Sequence, residues 1–467
     1  MAYTAPAKDT VTVVGGLGTQ EDKAALNGGG AIKTVWDAGS PSDFIDTNGG
    51  PIQTATCTFT TIDKNLSGTD IGLNVVEGTL CYVSTGTGSH ITAGIYEITT
   101  VTDDDNIICI NIEDDGTDES VITVNVGGAF DGLGVAINNK INDGALYIRY
   151  IYDNIASEEI SSTIDVNVNS GTTLTPIRVT GYNLTLTAQA EITITTNATL
   201  TDGLLKFDGA KLNYIFRNIA FNAGGKDDTK AQYCVYDVGA DSDFIGFIDC
   251  KFYGASNHGI LNNSDSWVLS RCKFYDNGGD GMNNSSTDGQ SNKYFSCSFY
   301  NNDSHGLSQG GSSSLITGCL AYGNGQDGAG HGLFLGSSSS DNGTIKNCTC
   351  YDNATDGINI DNLANGITIF NNTSVGNGGY GYNLQGISSD IAFFYYNHAS
   401  VNTGNGSTIT HCTEVLDSGF ANFRDGNNIA GTQEAANIFT NVTPGAEDFT
   451  PKTGSDLINN GLDAGTA

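Results

Sequence analysis

The fold is decided by residues 250–384, in which one short phrase recurs six times. It reads CKFYGASNHGIL from Cys250, CKFYDNGGDGMN from Cys272 and CSFYNNDSHGLS from Cys297. It continues as CLAYGNGQDGAG from Cys319, CTCYDNATDGIN from Cys348 and NTSVGNGGYGYN from Asn372, with steps of 22, 25, 22, 29 and 24 residues. A period of this size is typical of a solenoid. The first residue of each phrase is called the anchor, and other positions are counted from it.

Four positions are nearly constant among the copies. Position −3 is occupied by Phe247, Leu269, Tyr294, Ile316, Ile345 and Ile369. Position +2 is occupied by Phe252, Phe274, Phe299, Ala321, Cys350 and Ser374. Position +5 is asparagine in five copies, at Asn277, Asn302, Asn324, Asn353 and Asn377. Position +9 is glycine in every copy, at Gly259, Gly281, Gly306, Gly328, Gly357 and Gly381.

Short alternating runs followed by Asn and Gly predict short strands and tight turns. The repeats lack the 3.6-residue period of an amphipathic helix. A glycine at a constant position indicates a positive φ or a close backbone approach on every turn. Equivalent residues should then stack about 4.8 Å apart in parallel sheets, with phenylalanine on phenylalanine and asparagine amides paired along the axis.

This pattern resembles the right-handed parallel β-helix family. The resemblance implies an all-β solenoid, and residues 145–430 have room for roughly a dozen coils. Five cysteines occupy one repeat position, which favours buried free thiols over disulfides. Neither a CxxC pair nor a His-rich spacing indicates zinc.

The flanks predict three further segments. Residues 1–50 are an N-terminal arm or attachment segment, and residues 51–144 are a small β-meander domain with a short connector helix near 127–143. Residues 431–467 resemble the closing segment of β-helix proteins and should cap the last coil. The stretch 80–110 is similar to modules that precede β-helices in tailed-phage structural proteins.

The net charge of −33, from 52 acidic and 19 basic residues, argues against binding to nucleic acid or an anionic membrane. The sequence shows neither a basic, apolar signal segment nor an apolar run long enough to span a bilayer. Since β-helices of this type usually act outside cells, we expect a virion-surface protein made in the host cytoplasm without a signal peptide. A mature enzyme supplied without its signal is the other explanation.

Position +8 holds candidate ligand-binding residues: His258, Asp280, His305, Asp327 and Asp356. As an exposed column at strand spacing, these residues could bind a cation or hydrogen-bond sugar hydroxyls. The structural alternative is a turn tip that accepts polar residues. The His331–Gly332–Leu333 segment follows a four-residue insertion and should bulge beside the column.

Position +3 holds a second candidate set: Tyr253, Tyr275, Tyr300, Tyr322 and Tyr351. A tyrosine column could stack on sugar rings, or it could pack under a loop or against a neighbouring subunit. The acidic clusters 103–105 and 113–118 raise Ca²⁺ as a cofactor, but they lack EF-hand spacing and are also explained as solvated turns. The sequence identifies neither catalytic residues nor a required cofactor.

The resemblance to tailed-phage tailspikes, fibres and capsid-surface proteins predicts a structural, adhesive virion protein. Its partners would be other virion proteins, through the N-terminal region, and host surface polysaccharide, and trimers are common in that family. The alternative is a polysaccharide lyase or glycoside hydrolase. Polygalacturonase-type enzymes carry N-T-D, D-D, G-H-G and R-I-K motifs, and here only Asp227–Asp228 and Gly330–Gly332 resemble two of them. A bacterial surface adhesin is a third reading.

Overall fold

The structure is a computed structural model of the 467-residue chain. It describes residues 32–36, 53–72, most of 80–126, parts of 133–182, almost all of 191–384 and short pieces between 393 and 451. Contacts divide the chain into two units, which are treated separately. Unit 1 comprises residues 1–158, 164–193 and 213–219, and unit 2 comprises residues 159–163, 194–212 and 220–467. In the described residues, no helix has the length and apolarity needed to cross a bilayer.

Unit 1 contains an antiparallel sheet of seven strands. The first eight strands of the chain are β1 (Ile32–Trp36), β2 (Gln53–Thr60), β3 (Asn65–Ser67), β4 (Leu80–Val83), β5 (Gly94–Glu97), β6 (Thr100–Asp103), β7 (Asn106–Ile108) and β8 (Glu119–Val126). The sheet order is β5-β4-β8-β2-β3-β7-β6. The predicted meander is therefore wrong in its order, because β8 inserts between β4 and β2. Alternate residues of β2 and β8 fill one core, including Cys57, Phe59, Ile122 and Val124.

Parallel strands follow the antiparallel sheet along the chain. The next strands along the chain are β9 (Tyr147–Tyr152), β10 (Glu158–Ile160), β11 (Ile164–Val166), β12 (Ile177–Tyr182), β13 (Ile192–Thr196), β14 (Leu205–Phe207) and β15 (Tyr214–Arg217). Strand β12 pairs in parallel with both β9 and β15. Strand β1 lies antiparallel to β9 and covers its free edge. The described piece of the predicted arm is thus a sheet strand, and helical residues at Leu133, Gly134 and Ile137 fall in the predicted connector.

Unit 2 is built from three parallel sheets. Its repeating strands are β16 (Ile219–Asn222), β17 (Val235–Asp237), β18 (Gly246–Ile248), β19 (Lys251–Tyr253), β20 (Ile260–Asn262), β21 (Val268–Ser270), β22 (Lys273–Tyr275), β23 (Met282–Asn284), β24 (Lys293–Phe295), β25 (Ser298–Tyr300), β26 (Leu307–Gln309), β27 (Leu315–Thr317), β28 (Leu320–Tyr322), β29 (Leu333–Leu335), β30 (Thr344–Lys346), β31 (Thr349–Tyr351), β32 (Ile358–Ile360), β33 (Thr368–Phe370), β34 (Thr373–Val375), β35 (Tyr382–Asn383), β36 (Phe393–Tyr395) and β37 (His398–Ser400).

The chain ends in short strands: β38 (Thr403–Gly404), β39 (Thr408–Ile409), β40 (Arg424–Gly426), β41 (Ile429–Gly431), β42 (Phe439–Asn441) and β43 (Asp448–Pro451). Strands β40 and β41 extend two of the parallel sheets. Strands β42 and β43 form an antiparallel pair inside the predicted cap. Residues 452–467 of the predicted cap lie outside the described residues.

In unit 2, every third strand belongs to the same sheet. Sheet A contains β18, β21, β24, β27, β30, β33, β36 and β40. Sheet B includes β16 and every third strand from there to β37, and sheet C includes β14 and every third strand from there to β35. Seven complete coils run from Ile219 to Tyr395. The all-β parallel solenoid is confirmed, and these seven complete coils are fewer than the predicted dozen.

Identical side chains stack in the interior, as predicted. Phe221, Phe252, Phe274 and Phe299 are paired in register, with ring centroids 5.3, 4.8 and 4.8 Å apart. The five anchor cysteines are buried, and all ten described cysteines are free thiols. Burial raises the pKa of Cys350 far above its ordinary value, which keeps this thiol protonated.

A buried asparagine ladder joins the coils at position +5. Each Nδ2 donates to Oδ1 of the next asparagine, at 2.8–2.9 Å, through Asn277, Asn302, Asn324, Asn353, Asn377 and Asn402. The same amide nitrogens also donate to backbone carbonyls, as Asn302 does to Phe274 O at 3.2 Å. A second ladder begins at the anchor position, where Asn372 Nδ2 donates to Asn397 Oδ1 at 3.0 Å. Each amide is satisfied only because the neighbouring coil has the same residue.

The glycine at position +9 serves close approach, not a positive φ. A Cβ on Gly306 would lie 2.6 Å from Gly332 O and 2.9 Å from Phe299 Cβ. The assignment of Gly328 to position +9 is wrong. Gly328 lies in the insertion with φ +94°, and Gly332 occupies the aligned position. Positive φ occurs at three other positions of the repeat. They are −6, at Phe244, Ser266, Ser291, Ser313, Asn342 and Gly366, −1, at Asp249, Arg271, Ser296, Gly318, Asn347 and Asn371, and +4, at Gly254, Asp276, Asn301, Gly323, Asp352 and Gly376.

We expect Asn302→Ala to lower the free energy of unfolding by about 3 kcal/mol, because it removes the partners of buried groups on both neighbouring coils. Chemical denaturation followed by circular dichroism measures this loss. The control is the adjacent, exposed Asn301→Gly, which suits the positive φ at that position and should change stability little. Equal effects of the two substitutions would contradict a role for the ladder.

Candidate ligand face

Two parallel rows of side chains form one face of unit 2. The turn row consists of the +8 residues Tyr233, His258, Asp280, His305, His331, Asp356 and Tyr380. The sheet row consists of the middle residues of sheet C strands, Tyr236, Leu261, Asn283, Ser308, Phe334, Asn359 and Asn383. Backbone N–H groups at position +9 donate to the carbonyl of the next turn-row residue, as Gly281 N does to His305 O at 2.9 Å. This bonding holds the turn row in register along the coils.

The structure brings together four of the five predicted +8 residues. His258, Asp280, His305 and Asp356 lie on consecutive or nearby coils of the turn row. The prediction is wrong for the fifth residue, Asp327, which lies exposed in the insertion. His331 occupies the aligned position in the turn row. The 29-residue step between Cys319 and Cys348, together with the His-Gly pair at 331–332, is the sequence signal that could have placed His331.

Turn-row side chains accept hydrogen bonds from the backbone of the next coil. His258 Nδ1 accepts from Asp280 N at 2.9 Å, and Asp280 Oδ1 accepts from His305 N at 2.9 Å. His305 Nδ1 accepts from His331 N at 3.0 Å, and Asp356 Oδ1 accepts from Tyr380 N at 2.7 Å. Imidazole Nδ1 and carboxylate Oδ1 stand at the same distance along the side chain. This equivalence explains why His and Asp interchange at position +8, and it supports the turn interpretation.

The row is more buried than the exposed column that the sequence predicts. Asp280 is 3% exposed and Asp356 is 5% exposed, whereas the His258 and His331 side chains remain about one fifth exposed, at 19% and 18%. The carboxylates are covered because the sheet row donates to them, with Asn283 Nδ2 2.6 Å from Asp280 Oδ2. Asn359 Nδ2 lies 2.7 Å from Asp356 Oδ2 in the same way. The imidazole rings are therefore the part of the turn row that is exposed to solvent.

Burial determines the protonation of the histidines. It lowers the pKa of His258 and of His305, and it outweighs the opposing charge of Asp280. Because Nδ1 of each ring accepts a backbone N–H, the neutral tautomer carries its proton on Nε2. For Asp356, burial acts to raise the pKa, but the side chains of His331, Asn383 and Asn359 and the Tyr380 N–H prevail and lower it. The face thus combines neutral imidazoles with buried, ionised carboxylate.

Rings of the two rows pack together at both ends. The Tyr233 and Tyr236 centroids are 4.9 Å apart, and Tyr233 stacks on His258 at 6.1 Å. Further along, His305 and His331 stack at 5.0 Å with an interplanar angle of 6°. Phe334 covers both of these imidazoles, at 4.6 and 5.3 Å. The sequence missed Phe334 and Tyr236 because their positions in the repeat are variable.

Residues 235–393 match the family described as right-handed β-helix region. This stretch is a right-handed β-helix. No curated protein matches the sequence.

Several solved structures resemble the chain. A pectate lyase is 18% identical with a TM-score of 0.46, over 68% of this chain and 82% of its own. The Dettilon tailspike protein is 12% identical with a TM-score of 0.40, over 57% and 58%. The A-module of a mannuronan C-5 epimerase from Azotobacter vinelandii is 12% identical with a TM-score of 0.36, over 61% and 89%. At these identities the likeness concerns the fold alone.

The +3 tyrosines form a second column on the outer face of sheet B in the β-helix. Tyr253, Tyr275, Tyr300 and Tyr322 stack at 4.7, 4.9 and 5.0 Å, with interplanar angles of 4–7°. Tyr351 follows in register with Tyr322. Because each ring face is covered by the next ring, a sugar could reach only the ring edges and hydroxyls. This geometry favours the packing interpretation of the column over sugar stacking.

The acidic clusters of the N-terminal sheet hold their own turns. Asp103 Oδ1 accepts from Asp105 N at 2.9 Å, and Asp114 Oδ1 accepts from Gly116 N at 2.9 Å. Asp114 is also paired with Lys64. Among the described residues, no group of three or more His, Cys, Asp or Glu side chains is arranged to hold a metal ion. These contacts agree with the interpretation of the clusters as turns.

We expect His305→Asn to keep nearly the wild-type stability, because the amide Oδ1 can accept the His331 N–H. His305→Ala should cost about 1–3 kcal/mol, because it leaves that buried N–H without an acceptor. Urea denaturation of the two variants measures the difference. Indistinguishable stabilities would contradict the turn-row ladder.

The free energy of unfolding should also fall as the pH is lowered from about 7 to about 5. The folded pKa values of His258 and His305 lie below the unfolded value of about 6.5, so protons bind the unfolded chain first. Urea denaturation at successive pH values measures this fall. The double variant His258→Asn/His305→Asn should show a shallower pH dependence, and an unchanged slope would refute this assignment.

Proposed function

We propose that this chain is a structural, adhesive protein of a bacteriophage particle, and that its β-helix binds polysaccharide on the host surface. The observation that carries the binding part is the two-row face. Over seven coils it presents imidazole and phenol rings and carboxamides at a constant spacing of about 4.8 Å, which suits an extended polymer of hydroxyl-bearing rings.

The particle location rests on the sequence. The stretch 80–110 resembles modules of tailed-phage structural proteins, and the structure places most of it in the antiparallel sheet of unit 1. We propose that this sheet and the residues before it dock on other virion proteins. On this proposal, the protein is made in the host cytoplasm and assembles on the virion surface as a trimer.

A hydrolase at this face is disfavoured by the positions of its acids. Glycosidases place two carboxyl groups about 5–9.5 Å apart in a cleft. Asp280 and Asp356 lie three coils apart, which is about 14 Å at one strand spacing per coil. Both carboxylates are also almost fully buried. The turn row therefore supports binding without cleavage.

Two measurements test this proposal. Purified particles should contain the chain by mass spectrometry, and antibodies against it should label their surface in electron micrographs. The isolated protein should sediment with host surface polysaccharide but release neither reducing ends nor products that absorb at 235 nm. Turnover that a single Asp substitution abolishes would instead establish the lyase or hydrolase. Absence from particles would remove the virion role.

A further inference from the structure

The turn row has a period of three coils. Its residues run ring, ring, carboxylate as Tyr233, His258 and Asp280, and again as His305, His331 and Asp356. The next coil restarts with a ring, that of Tyr380. The repeat of the solenoid itself has a period of one coil, so stacking alone does not require this longer period.

The sheet row follows the same period where the carboxylates stand. Asn283 donates to Asp280 and Asn359 donates to Asp356, so an acid–amide pair recurs after three coils. Between the two pairs, Phe334 packs on the stacked imidazoles of His305 and His331. Groups of packed rings therefore alternate along the axis with the acid–amide pairs, which we call the acid–amide gaps. The repeat of this alternation is about 14 Å.

The face also selects by charge. Neither row contains Lys or Arg over these seven coils, and burial lowers the pKa of His258 and of His305, which favours their neutral forms. The whole chain carries a net charge of −33. A polyuronate would meet repulsion here without a compensating cation, whereas a neutral glycan would meet Nε2–H donors, carboxamides and ring edges.

We infer that the two-row face binds a neutral polysaccharide that lies along the solenoid axis. One sugar residue would face each coil, so that three sugar residues match the three-coil period of the turn row. Pyranose rings of an extended glycan repeat at roughly the coil spacing, about 5 Å, so one sugar would face each coil. A glycan with a trisaccharide repeat would then present the same group to both acid–amide gaps. This inference rests on the proposed polysaccharide binding and specifies its class and its site.

The test is calorimetric titration of the full chain with defined glycans. The probes are neutral bacterial polysaccharides with two-, three- and four-sugar repeats, with polygalacturonate and alginate as acidic probes. We expect the neutral three-sugar repeat to bind at least tenfold more tightly than the others. Its fragments should gain affinity most steeply between one and two repeats, when both ring groups become occupied.

Variants locate the site. His305→Asn keeps the hydrogen-bond acceptor but removes a ring, and Phe334→Ala removes the ring that covers it. Each should weaken binding at least tenfold. The matched control is Phe370→Ala, which removes a partly exposed ring from sheet A and should leave binding within twofold. Circular dichroism confirms that every variant is folded.

The outcomes separate the inference from the proposed function. Equal or tighter binding of an acidic glycan, absence of a preference for the three-sugar repeat, or binding that Phe370→Ala weakens as much as Phe334→Ala would overturn the inference and leave polysaccharide binding in place. Failure to bind any polysaccharide would overturn both.

Discussion

The structure depends on one constraint: each residue must be compatible with its own equivalent one coil above and one coil below. Parallel pairing in register places Phe252 on Phe274 and Asn302 on Asn324, at about one strand spacing. An amide that bonds to another amide, or a ring that stacks on another ring, is satisfied only by repetition. For this reason a single coil has no stable form alone, and the repeats stabilise one another.

The same constraint explains how the chain tolerates irregularity. The extra residues of the fourth copy lie in an exposed turn around Gly328, while Gly332 and His331 return to the aligned positions. The turn therefore absorbs the additional length outside the stack. The hydrogen bond from Asn324 to Asn353 is kept across this coil at 2.9 Å. Register is maintained by the buried groups, and not by equal spacing in the sequence.

At the turn row, the structural demand on a His or Asp side chain falls on one of its atoms. The inner atom, Nδ1 or Oδ1, holds the backbone of the next coil, and either His or Asp can supply it. The outer edge of each imidazole is left to solvent. This hydrogen bond therefore does not decide between His and Asp, and under the proposed function the three-coil pattern of Tyr233 to Asp356 serves the bound polysaccharide.

The sequence by itself determined the solenoid, the buried cysteine and phenylalanine stacks and the asparagine ladder, because these features depend only on a residue type recurring at a constant position. It also located His258, Asp280, His305 and Asp356 on one line. Only the tertiary structure decided that Asp327 is outside that line and His331 within it, since alignment in space depends on where the insertion leaves the stack. It likewise decided how deeply the carboxylates of Asp280 and Asp356 are buried and that Phe334 packs on the imidazoles. Burial and packing arise from neighbours that are distant along the chain.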